Sequence, residues 1–98
     1  MASGSVTCPM NLRRETYTYT YSVAAGGSVN VSAANLQFED IPGYIPCGVV
    51  RLTSGDSNVL IRGVNLATNG GVYMTNIGST VVSNKTVTLT ALWLRSTT

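Results

Sequence analysis

The sequence has no histidine, and only 10% of its 98 residues are charged. Without histidine the commonest general base and metal ligand is missing, and no Ser–His–Asp or Cys–His unit can be assembled within the chain. The acids are Glu15, Glu39, Asp40 and Asp56. Hydrolysis of a glycosidic bond needs two carboxyls facing each other across about 5 to 9.5 Å. Glu39 and Asp40 are adjacent, point apart in an extended segment, and read as a solvated loop. Glu15 reads as a strand-entry charge and Asp56 as a turn residue. Together these absences predict that the protein is not an enzyme.

Other absences narrow the field further. No Gly-rich phosphate loop occurs; Gly26-Gly27 and Gly70-Gly71 fall in hairpin positions. The two cysteines, Cys8 and Cys47, have neither CxxC nor metal spacing, and without histidine they cannot complete a zinc site. They allow either one disulfide or, for Cys47 inside its apolar run, a small buried hydrophobe. No segment has the spacing of a calcium loop, so neither a metal nor a cofactor is expected. No run of 18 apolar residues is present, which argues against a spanning helix. Arg13, Arg14, Arg51, Arg62, Lys85 and Arg95 are scattered rather than gathered in a stripe, which argues against nucleic acid. Residues 1–14 read as a lead or arm. Its opening, Met1-Ala2-Ser3-Gly4-Ser5, reads as a flexible lead or a cloning scar and lacks signal-peptide character.

What the chain does have is alternation. From Glu15 to Val23, side chains switch faces at each step, placing Tyr17, Tyr19, Tyr21 and Val23 on one face and Thr16, Thr18, Thr20 and Ser22 on the other. Ala24 to Gly27 forms a turn. Ser28 to Ala33 alternates again, with Val29, Val31 and Ala33 inward. Asn35 to Pro42 reads as a loop with a short strand or helical turn near Leu36–Phe38, closed by Pro42-Gly43. Tyr44 to Thr53 is apolar on both faces and suits a central strand, with Pro46 marking its beginning as an edge or bulge. A turn at Ser54-Gly55-Asp56 leads to a strand over Ser57–Ala67. Asn69-Gly70 signals a hairpin to Val72–Ile77. A short strand at Thr80–Val82, a turn at Ser83-Asn84 and a last strand over Lys85–Arg95 complete the chain. Turns at this spacing predict an all-β fold: one antiparallel β-sandwich, jelly-roll-like, of six or seven strands over residues 15–98.

The last strand places Val87, Leu89, Ala91 and Trp93 on one face, yet its polar face turns apolar at Leu92 and Leu94, as though covered there. The cover is either another part of this domain or another copy of it; since an average soluble protein is roughly 25% charged, a second copy is the favoured one. The candidate subunit contact is Leu92, Trp93 and Leu94 with the stripe Tyr17, Tyr19 and Tyr21. The same stripe could instead pack in a core or stack on sugars, and Trp93 could anchor either core or interface. For a shallow ligand surface the candidates are Tyr44 and Tyr73, with Asp40, Asp56 and Asn69 in loops. Asn30-Val31-Ser32 and Asn84-Lys85-Thr86 match the glycosylation triplet, an unsurprising coincidence in a chain so rich in Asn, Ser and Thr.

The alternating first strand, then Ile41-Pro42-Gly43-Tyr44-Ile45-Pro46, then Asn69-Gly70-Gly71-Val72-Tyr73-Met74-Thr75-Asn76, and the ending Thr88-Leu89-Thr90-Ala91-Leu92-Trp93-Leu94-Arg95 resemble the C-terminal head domains of phage tail fibres and related prophage structural proteins. The resemblance implies a homotrimer at a fibre tip, in the virion or otherwise extracellular, that binds a host-surface glycan or protein through loops. It transfers no specific residue. Two other readings stay open: a secreted monomeric carbohydrate-binding module, and a purely structural self-assembling virion or adaptor protein.

Overall fold

The structure is a computed structural model that describes residues 11–67 and 69–96. Six strands and one helical turn follow in order: β1 Leu12–Val23, β2 Ser28–Ser32, α1 Ala33–Leu36, β3 Tyr44–Thr53, β4 Val59–Asn65, β5 Gly71–Asn76 and β6 Val82–Arg95. They form two three-stranded antiparallel sheets, β1-β6-β3 and β2-β5-β4. The expected all-β sandwich is the observed fold. The chain passes from one sheet to the other after β1, β2 and β3, and again after β5. This wrapping is that of a jelly roll with fewer strands.

The core lies between the two central strands. Val87, Leu89, Ala91 and Trp93 of β6 meet Val72 and Met74 of β5, with Tyr21, Val23, Val31 and Val59 from the flanking strands. In β1, β2, β5 and β6 every second residue thus points inward over the regular stretches, as alternation requires. After β2, Ser32 caps α1, accepting the Asn35 N–H at 3.1 Å. The turn buries Ala33 and Leu36 and delivers Phe38, whose ring stacks on Trp93 and tilts against Tyr17, each with centroids 5.1 Å apart.

Several sequence expectations need correction. β1 begins at Leu12, so Leu12, Arg13 and Arg14 belong to the sandwich, paired with Leu94, Trp93 and Leu92, rather than to a lead. β3 is an edge strand, not a central one. Its two apolar faces arise because bulges between Pro46 and Gly48 and between Val49 and Arg51 interrupt the alternation. The first bulge leaves Cys47 exposed rather than buried; Cys8 lies outside the described residues. β6 runs unbroken from Val82, the expected turn at Ser83-Asn84 being an irregularity where Asn84 adopts φ 55°. Gly26 and Gly27 join strands of different sheets and so do not close a hairpin.

Candidate functional site

The outward positions of the two sheets differ in character. On β1-β6-β3, Thr16, Thr18 and Thr20 stand opposite Thr90, Thr88 and Thr86, and Thr16 and Thr90 hydroxyls are 3.1 Å apart. At one end this face turns apolar: Leu94 lies between Leu12 and Ile45, beside Leu92. Leu92 and Leu94 are half-buried and Ile45 is 49% exposed, with no covering element among the described residues.

On β2-β5-β4 the outward face carries an aromatic ring among polar groups. Tyr73 of β5 stands opposite Asn30 of β2 and Gly63 of β4. Glycine at 63 leaves the face open beside the ring; a β-carbon there would lie 3.6 Å from Tyr73 Cδ2. A cross-strand glycine of this kind is commonly covered by an aromatic neighbour, which is the purely structural role open to Tyr73. The ring nevertheless remains 38% exposed. One pair further along, the Ser28 and Thr75 hydroxyls are 3.0 Å apart. Arg62 occupies the bulge between Ile61 and Gly63. Ser28, Asn30, Arg62, Tyr73 and Thr75, with Val29 and Met74 beneath, line a shallow groove of about 310 Å³. An exposed aromatic face surrounded by hydroxyl, amide and guanidinium groups can stack on an apolar ring face while bonding hydroxyls at its rim. No carboxylate lines the groove.

The other ligand candidates are dispersed. Tyr44 is half-buried between the Arg13 and Arg95 guanidiniums, 5.6 and 6.0 Å from its ring centroid, and so is already engaged. Hydrogen bonding to Glu15, with which it forms an ion pair, pushes the Arg13 pKa up. Asp40 is exposed with Glu39 after α1, beside a hollow of about 450 Å³ shared with Ala34, Gln37 and Phe38. Asp56 serves its own turn: its side chain accepts the Asn58 N–H at 2.8 Å and its carbonyl accepts the Ser54 hydroxyl at 2.8 Å. Asn69 is exposed in the β4–β5 connection. No group of three or more acids and cysteines able to hold a metal occurs among the described residues.

Of the expected subunit contacts, Trp93 and Tyr21 are 0% and 4% exposed within this chain's own core and offer a partner no surface. Trp93 Nε1 donates to Tyr17 Oη at 3.1 Å, and Tyr21 Oη donates to the Ser54 carbonyl at 2.6 Å. Burial dominates both phenols and raises their pKa values. Tyr17 and Tyr19 are half-buried along β1.

Ser28, Asn30, Arg62 and Thr75 were not among the ligand candidates read from the sequence. Alternation places Ser28 and Asn30 outward, but only the strand order sets them beside Tyr73. Compared with protein-family models, with curated proteins and with solved structures, the chain matches none. Fold and groove together therefore define the class: a small jelly-roll-like β-sandwich with one aromatic, polar-rimmed sheet face.

Proposed function

We propose that this protein is a non-enzymatic recognition domain, a phage tail-fibre-like head that binds a host-surface glycan across the β2-β5-β4 face and works in an assembly of its own copies. The observation carrying this reading is the half-open Tyr73 ring above Gly63, rimmed by Asn30, Ser28, Thr75 and Arg62. A sugar ring would lie on Tyr73, and its hydroxyls would bond Asn30 and the Ser28–Thr75 pair. A virion or extracellular setting belongs to the same proposal, which fixes no number of copies.

A glycan array on the intact domain tests it. Binding to at least one glycan class is expected, with at least about tenfold loss for Tyr73→Ala, the size of one stacking contact of about 1.4 kcal/mol. Silence across the array would sink the recognition role. The open apolar end at Leu12, Ile45, Leu92 and Leu94 favours a second reading, a purely structural self-assembling protein, and silence combined with a stable oligomer would support that reading instead.

A further inference from the structure

A β-sandwich of two open sheets has four edge strands, and natural proteins blunt such edges to prevent strand addition. Three of the four are blunted here. β3 carries Pro46 and two bulges, β4 carries a bulge holding the cation Arg62, and β2 has only five residues. β1 is different. It spans twelve residues, contains no proline, and keeps regular register with β6 from Leu12 to Tyr21.

No described residue pairs with its outer edge, and the direction of the hydrogen-bonding groups there follows from one bond. The Arg95 N–H donates to the Asn11 carbonyl at 2.8 Å. In an antiparallel ladder, opposed pairs alternate between bonded and non-bonded. Arg13, Glu15, Tyr17, Tyr19 and Tyr21 therefore bond to β6, while Arg14, Thr16, Thr18 and Thr20 direct both N–H and C=O away from the sheet. The same segment reads Thr16-Tyr17-Thr18-Tyr19-Thr20, identical in both directions. A two-fold axis at Thr18 would set Thr16 opposite Thr20 of the partner subunit and Tyr17 opposite Tyr19 of the partner subunit. Arg14 would face Ser22 of the partner subunit, and Glu15 would face Tyr21 of the partner subunit. No like charges meet. Such self-complementarity is what an isologous contact requires.

We infer that β1 pairs with β1 of a second copy of this chain, antiparallel about Thr18, joining two β1-β6-β3 sheets into one six-stranded sheet. The contact closes as a pair and leaves the Tyr73 groove on the other sheet free. It does not depend on glycan recognition.

Size-exclusion chromatography with light scattering, on the intact chain, should give twice the 10.3 kDa chain mass. Thr18→Pro and Thr18→Lys should both give the single-chain mass with unchanged circular dichroism. The Thr18 N–H is not bonded to β6, so proline there removes only the bond to the partner, and lysine places like charges on the axis. Hydrogen exchange at the Thr16, Thr18 and Thr20 amides should slow as protein concentration rises. A wild-type monomer, a trimer, a dimer that survives both substitutions, or protection independent of concentration would each overturn the inference. A trimer that binds glycan would overturn it while leaving the proposed function standing.

Discussion

Asn76 is fully buried, yet each of its polar atoms has a partner. Its Nδ2 donates to the carbonyls of Val23, Ala24 and Thr80, at 3.4, 3.3 and 2.9 Å, and its Oδ1 accepts the Gly78 N–H at 2.9 Å. One amide thus ties the end of β1 to the loop after β5. Tyr21 does the same for the β3–β4 turn through its bond to the Ser54 carbonyl. Tyr21→Phe would strand that carbonyl in a buried position and should cost about 1–2 kcal/mol in denaturant unfolding. The raised phenol pKa values of Tyr17 and Tyr21 set the sign of the alkaline response. A folded value above the unfolded one, about 10, means the native state holds its protons longer. Stability is then retained below about pH 10 and lost as pH climbs through the folded values. Absorbance titration at 295 nm should show phenols ionising above pH 10, and Tyr21→Phe should shrink the fall in melting temperature.

At the scale of elements, the readable strands were those whose alternation is undisturbed. Tyr and Thr in strict succession gave β1 its faces, and Asn69-Gly70 marked the β4–β5 connection. β3 misled because bulges at Cys47 and Val50 break the period, and a doubly apolar strand then imitates a buried one. The groove was half legible: Tyr73 stands out as an aromatic, but its neighbours arrive from β2 and β4 through pairings that no local pattern encodes. Turn chemistry was more direct. Gly55 has φ 83°, and a β-carbon there would run into the Thr86 carbonyl of β6. Gly55→Ala should lower stability by more than about 1 kcal/mol, through both backbone strain and the clash. Chemical denaturation of the variant checks this.

For the whole molecule, the scarcity of charge and the two open features of the β1-β6-β3 sheet point the same way. In the proposed reading, that sheet is the side for contacts with other copies, and β2-β5-β4 is the side for ligand. The division matters for interpretation, because loss of assembly and loss of binding become separable phenotypes. Thr18→Lys should leave glycan binding per chain unchanged, and Tyr73→Ala should leave the oligomer intact.

β6, which follows the other five strands in sequence, is also the centre of its sheet. Among the described residues β1 and β3 have no strand partner other than β6, and the Thr16–Thr90 pair spans 74 positions of sequence. β1 through β5 are therefore synthesised before half the sandwich can begin to form, and until β6 emerges β1 waits with an unpaired edge on either side. Contacts this distant in sequence slow folding, to milliseconds or longer for β-sandwiches. Stopped-flow refolding should find a rate in that range, and crowded nascent chains should be at their most vulnerable to premature β1 pairing just before Val82–Arg95 emerges.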